Sequence, residues 1–99
     1  MPLRLAVIRE TAPGERRVAL DPNMAERFAR LGLEVCIEPG AGWAAHFPDS
    51  AYQAKTGVQL LEQPLGSADI VLKVAPPSLE EVEQLREGSV LIGLLQPHR

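Results

Sequence analysis

Ile70-Val71-Leu72-Lys73-Val74-Ala75-Pro76-Pro77-Ser78-Leu79-Glu80-Glu81-Val82-Glu83-Gln84-Leu85-Arg86-Glu87-Gly88-Ser89-Val90-Leu91-Ile92-Gly93-Leu94-Leu95 decides the fold class. Its two ends are short apolar runs with almost no alternation, the pattern of parallel strands buried on both faces. Between them, Ser78-Leu79-Glu80-Glu81 has the spacing of a capping box, in which Ser78 and Glu81 satisfy each other's free backbone donors. Leu79, Val82 and Leu85 fall on one helical stripe, and Gly88 ends the segment. Two strands joined by a helix form a parallel pair, because a parallel connection needs a crossover of about a dozen residues or more.

The same alternation runs back to the N-terminus. Leu3-Arg4-Leu5-Ala6-Val7-Ile8, Leu33-Glu34-Val35-Cys36-Ile37 and Val58-Gln59-Leu60-Leu61 read as strands. The first, fourth and fifth strands are the most apolar and are expected to be buried. Asp21-Pro22 pairs an N-cap with proline at the first helical position. Met24, Phe28 and Leu31 share a face, and Gly32 stops the helix. Asp49 to Lys55 predicts a shorter helix ending near Gly57. Gln63 to Ala68 is too short for a full helix and predicts a turn or 3₁₀ segment. The fold class is therefore α/β, a mostly parallel five-stranded sheet between layers of helix.

Composition narrows the function. The chain has 99 residues, 45% of them apolar, with 10 Lys+Arg against 13 Asp+Glu and a net charge of −3. That fits one globular domain and argues against a nucleic-acid partner, which calls for a basic face. The single Cys36 excludes an internal disulfide and a cysteine-based zinc site, and fits a reducing compartment. The longest apolar run, Val90 to Leu95, falls far short of the roughly 18 residues that span a bilayer. The apolar core of Met1 to Arg9 is too short for a signal peptide. The expectation is a cytoplasmic domain without direct membrane insertion. A chain this short carries a cofactor domain or a substrate domain, hardly both.

Ligands of open α/β sheets bind beyond the carboxyl ends of the strands. There the sequence places Arg9-Glu10, then a loop to Leu20 about twice the usual length, holding Glu15, Arg16 and Arg17. Glu38 follows the second strand, Lys73 ends the fourth, and Gln96 follows the fifth. Lys73 is the oddest residue, because a buried ammonium is costly without a partner. It can pair with Glu10 or Glu38, or snorkel to solvent. Together with an arginine it would suit a small carboxylate. Gly40-Ala41-Gly42-Trp43-Ala44-Ala45 spells a dinucleotide-binding loop, but that chemistry needs a helix opening inside the motif, and Pro48 leaves no room for one. His46 reads as a loop histidine and His98 lies at the chain end. No metal-ligand spacing occurs.

Val7 to Pro22, with its Arg-Val-Ala-Leu core at Arg17-Val18-Ala19-Leu20, resembles the opening of the alanine dehydrogenase/transhydrogenase N-terminal domain family, the transhydrogenase side more closely. Gly32 to Val35, Glu38 to Gly42, Pro48 to Tyr52, Ala68 to Pro77 and Gly88 to Leu95 continue the likeness in order. The resemblance implies a flavodoxin-like half-domain over residues 1–99, with strand order 2-1-3-4-5. It further implies that the NAD-binding Rossmann half of the family is absent from this chain.

In the alanine dehydrogenase relatives an Arg and a Lys at the positions of Arg17 and Lys73 hold the substrate. The resemblance therefore marks Arg17, Lys73 and Gln96 as pocket-like, with no catalytic, cofactor or metal residue in the chain. Gln96 stands where those relatives carry a catalytic His, which removes the general acid/base for an amino-acid dehydrogenase. The implied whole enzyme is an oxidoreductase that passes hydride between NADH and NADP⁺, coupled to proton translocation. NAD(H) and NADP(H) would be bound outside this chain, which alone would be inactive. Implied partners are the Rossmann half, the other subunits and a second copy in a homodimer, and partner subunits could hold the assembly at the inner membrane. An exposed apolar patch is expected where the Rossmann half would dock. Two other readings are a stand-alone small-carboxylate or assembly module, and part of an alanine dehydrogenase-like enzyme.

Overall fold

Leu5, Ala6 and Val7 are wholly enclosed because their strand, β1 (Arg4–Val7), has a parallel neighbour on each side. The structure is a computed structural model that describes residues 3–11, 13–75 and 77–93. β2 (Glu34–Ile37) pairs with β1 in the register Leu5–Val35 and Val7–Ile37. On the other side β4 (Ile70–Lys73) pairs Leu5 with Ile70 and Val7 with Leu72. β3 (Val58–Leu60) lies outside β2, and β5 (Val90–Gly93) lies outside β4. The sheet has five strands, all parallel, in the order β3-β2-β1-β4-β5.

This corrects the expected order 2-1-3-4-5. The third strand does not enter between the first and the fourth. A slot there would enclose both faces of Val58-Gln59-Leu60, whereas the edge leaves Gln59 exposed, its amide 3.3 Å from Cys36 Sγ. The chain steps outward twice. α1 (Pro22–Arg30) packs on β2 and β3, and α2 (Asp49–Gln53) packs on β3 and α1. Right-handed crossovers that step in one direction put their helices on one face. The return to β4 runs through a 3₁₀ segment, Pro64–Ser67, over the opposite face.

Side chains of period two divide into two cores. Leu5, Val7, Val35, Ile37 and Leu72 meet Ala25 and Tyr52 on the α1 face. Ala6, Ile8 and Val71 meet Leu65 and Ala68 on the other, with Leu85 and Leu91 at its margin. Both helix starts form as the sequence predicts. Asp21 Oδ1 accepts from the Met24 amide at 2.8 Å, and Ser78 and Glu81 complete the capping box.

Three burial expectations are corrected. α1 turns Pro22 and Ala25 inward, with Phe28 and Ala29 beside them, and leaves Met24 and Leu31 exposed. The small Ala29 allows close approach, since a Cβ on Gly57 would lie 2.8 Å from its methyl group. α3 (Leu79–Gln84) exposes Leu79 and Val82 and tucks in only Leu85, just past its end. β5 is an edge strand, with Val90 54% and Ile92 43% exposed, whereas β2 joins β1 and β4 in the interior of the sheet. Apolar side chains are thus exposed on β5, in register with Ile70 and Leu72 of the α1 face, and on α3, which packs against the opposite face. No helix among the described residues is long and apolar enough to cross a membrane.

Candidate functional site at the carboxyl edge of the sheet

Because all strands run parallel, β1, β2 and β4 deliver Glu10, Glu38 and Lys73 to one edge. The Lys73 side chain is 1% exposed and that of Glu10 3%. Glu10 Oε1 accepts from Lys73 Nζ at 3.1 Å and from the Ala75 amide at 3.1 Å. Its Oε2 accepts from the Val74 amide at 2.8 Å. Glu81 Oε1 lies 3.5 Å from Lys73 Nζ and also accepts from the Ser78 amide at 2.8 Å. Two carboxylates thus flank one ammonium, and a buried charge this well surrounded has recovered its hydration partners. Of the partners open to Lys73 in the sequence, Glu10 is the one it takes. Glu38 instead accepts from the Arg9 amide at 2.7 Å.

Arg17 is placed differently. Its side chain is 61% exposed and closes on Glu15: Oε2 accepts from the Arg17 amide and Nε, both at 2.9 Å, and Oε1 from Nη2 at 3.0 Å. These bonds pull the Glu15 carboxyl down to about 2 and raise Arg17. Arg17 and Glu10 line one cavity of about 280 Å³, with Arg9, Gly40 and Trp43 also on its walls. Lys73 is not on that wall, because Glu10 stands between. The structure therefore brings Arg17 and Lys73 to the same edge and leaves them without direct contact. On the other side of Arg9–Glu10 lies a larger cavity of about 600 Å³, bounded by Glu38, Gln63, Ser78 and Glu81. Gln96 lies outside the described residues.

The glycine loop after β2 serves packing. A Cβ on Gly42 would lie 2.7 Å from Tyr52 Cε2 and 2.8 Å from the Phe47 carbonyl oxygen. The space a phosphate would need is filled by Tyr52. Trp43–Ala45 form a single 3₁₀ turn that ends at His46, whose φ is 71°. The next helix waits until Asp49, after Pro48. These residues do not fit a dinucleotide pyrophosphate. No cluster among the described residues could hold a metal ion. Burial pushes the Cys36 thiol up, as for an inert core cysteine.

Sequence reasoning missed two parts of the site. Glu81 was legible as a helix cap but not as a second partner for Lys73, which depends on the fold bringing α3 beside the end of β4. The Val74 and Ala75 amides carry no side-chain signal at all.

Comparison with known proteins finds relatives along nearly the whole chain. The model of the family "Alanine dehydrogenase/PNT, N-terminal domain" matches residues 6–99. The chain is 41% identical over 98 residues to NAD(P) transhydrogenase subunit alpha of Cereibacter sphaeroides, covering 96% of this chain and 18% of that protein. It is 35% identical over 96 residues to alanine dehydrogenase of Mycobacterium tuberculosis, covering 94% and 26%. Among solved structures, the transhydrogenase from Sinorhizobium meliloti superposes with a TM-score of 0.87 at 31% identity, over 93% of this chain and 28% of that one. An L-alanine dehydrogenase superposes at 0.76 and 28% identity, over 92% and 26%. The chain spans 18% and 26% of the lengths of the two curated relatives. With both the sequence and the parallel sheet matched along nearly its whole length, the chain belongs to the alanine dehydrogenase/PNT N-terminal domain family.

Proposed function

We propose that residues 1–99 are the nucleotide-free N-terminal lobe of the NAD(H)-binding component of an NAD(P) transhydrogenase, an oxidoreductase passing hydride between NADH and NADP⁺. The observation that carries this reading is the state of the two cations. Lys73 is enclosed by Glu10 and Glu81 and lies apart from the exposed Arg17–Glu15 pair, so Lys73 is not open beside Arg17 to grip a substrate as an amino-acid dehydrogenase would require. Gln96, in place of the His of alanine dehydrogenases, points the same way. So do the 41% identity to the Cereibacter sphaeroides transhydrogenase subunit, against 35% to the Mycobacterium tuberculosis alanine dehydrogenase, and the higher TM-score against the Sinorhizobium meliloti transhydrogenase than against the L-alanine dehydrogenase.

In this reading the Rossmann half and the other subunits bind NAD(H) and NADP(H) and couple hydride transfer to proton movement. The lobe supplies a rigid wall at its carboxyl edge, and its partners include a second copy in a homodimer. Location is cytoplasmic, with membrane attachment through partner subunits. Val90 and Ile92, apolar and exposed on β5, support a larger protein around the lobe. The test is a titration of the 99-residue chain with NADH, followed by nucleotide fluorescence. No binding is expected, and saturable binding at micromolar concentration overturns the reading.

A second reading, a small-carboxylate module, is favoured by the cavity that Arg9 and Arg17 share. Calorimetry with pyruvate separates the two: heat that saturates in the wild type and disappears in Arg17→Gln supports the module.

A further inference from the structure

Glu10 is bound the way a ligand carboxylate is bound. Three donors converge on its two oxygens: Lys73 Nζ and the amides of Val74 and Ala75, at 3.1, 2.8 and 3.1 Å. The side chains on both sides of the ion pair are almost completely enclosed. Consecutive amides beside a cation are a general anion-binding arrangement. The carboxylate that fills it comes from the start of the long Arg9–Leu20 loop, after β1, and not from the end of β4 and the two residues after it, which build the cradle.

We infer that Lys73 Nζ with the Val74 and Ala75 amides is a carboxylate site whose resident ligand is the chain's own Glu10, and that the site takes a free acetate-sized monocarboxylate once Glu10 is withdrawn. A tethered carboxylate acts at an effective concentration of millimolar or above, and a fixed loop raises it further, so external carboxylates do not displace it in the wild type. Exchange would detach the loop carrying Glu15 and Arg17 from the β4–α3 turn, so occupancy of this cradle sets the position of the wall of the neighbouring cavity. The inference rests on the Glu10 geometry alone. Its test involves no nucleotide, so its failure and that of the hydride-transfer reading are separate results.

Glu10→Ala deletes a CH₂–COO⁻ group, which is an acetate ion in all but one hydrogen. The 99-residue variant is expected to melt below the wild type and to recover by several degrees with sodium acetate. The recovery saturates, and sodium chloride at equal ionic strength does not reproduce it. The wild type is expected to respond to acetate no more than to chloride. So is Glu10→Gln, whose side chain still fills the cradle. Adding Lys73→Met to Glu10→Ala abolishes the acetate response. If Glu10→Ala is unfolded without acetate, far-ultraviolet circular dichroism should show it folding as acetate is added. The inference is overturned if acetate stabilises Glu10→Ala no more than chloride does, if Glu10→Gln or the wild type responds equally, or if Glu10→Ala stays unfolded at every acetate concentration while Glu10→Gln folds.

Discussion

Tyr52 Oη donates a hydrogen bond to the Leu20 carbonyl oxygen at 2.7 Å, tying α2 to the end of the long loop that leads into α1. Both residues are buried, and the Tyr52 ring stands edge-on to Phe47 with centroids 6.5 Å apart. Tyr52→Phe keeps the ring and leaves one buried carbonyl without its donor. It should cost about 1–2 kcal/mol, read as a lower denaturant midpoint with unchanged slope. Burial also pushes the Tyr52 hydroxyl up to about 12. The unfolded chain releases that proton near its ordinary value of about 10. Between these values the unfolded state binds fewer protons than the folded one, so stability falls as pH rises through this window. Ultraviolet absorbance should show tyrosinate forming only with unfolding.

Lys73 and Arg17 should respond very unequally to removal of their charge. Lys73→Met leaves Glu10 enclosed without its counter-ion and should destabilise the fold by about 3–5 kcal/mol. Arg17→Gln breaks an exposed pair and should leave the denaturation midpoint close to wild type. Equal losses in the two variants would show that Arg17 is as structural as Lys73.

Gly42 is expected to be intolerant of a methyl group for want of space. Its added Cβ would meet the Phe47 carbonyl oxygen, which is backbone and cannot swing aside. Gly42→Ala should therefore cost about 1–3 kcal/mol and disturb the amide resonances of Phe47 and Tyr52. Gly14 has φ +79° and no atom within 4 Å of such a Cβ. Gly14→Ala should cost only the left-handed conformation, about 1–2 kcal/mol, with changes confined to its own turn.

Glu15 should report on Arg17 directly. Its carboxyl, held at about 2 by the Arg17 bonds, gives a contribution that is complete above the ordinary carboxylate value. That contribution is lost as pH falls from there through about 2. Carboxyl resonances followed by NMR should place Glu15 well below the ordinary glutamate value, and Arg17→Gln should return it toward that value. An unchanged Glu15 midpoint in that variant would refute the assigned cause.

Local features were legible where a residue type has one physical use. Asp21 before Pro22, and Ser78 three residues before Glu81, announce helix starts that the structure reproduces. Lys73 inside an apolar strand announces a buried partner, and Glu10 was among the two proposed. Strand order was not legible, because it depends on which face each crossover takes. The clue was Gln59, a polar side chain that an interior strand would have enclosed. The apolar stripes of α3 and β5 misled for another reason: a sequence records that a side chain avoids water, not which molecule keeps water away. The amides that bind Glu10 left no trace, since every residue but proline has one.

The pairing of Leu5 with Ile70 has a consequence during synthesis. As the chain leaves the ribosome, β1, β2 and β3 can pair early, with α1 and α2 closing one side. The inner flank of β1 stays open until β4 emerges, and Lys73 arrives at the end of that strand to meet a carboxylate made near the start. For that interval the nascent protein carries a naked strand edge and an uncompensated acid beside it. Stalling with β3 but not β4 clear of the exit tunnel should therefore give a protease-sensitive, chaperone-binding intermediate, and stalling once Lys73 has cleared the tunnel should not.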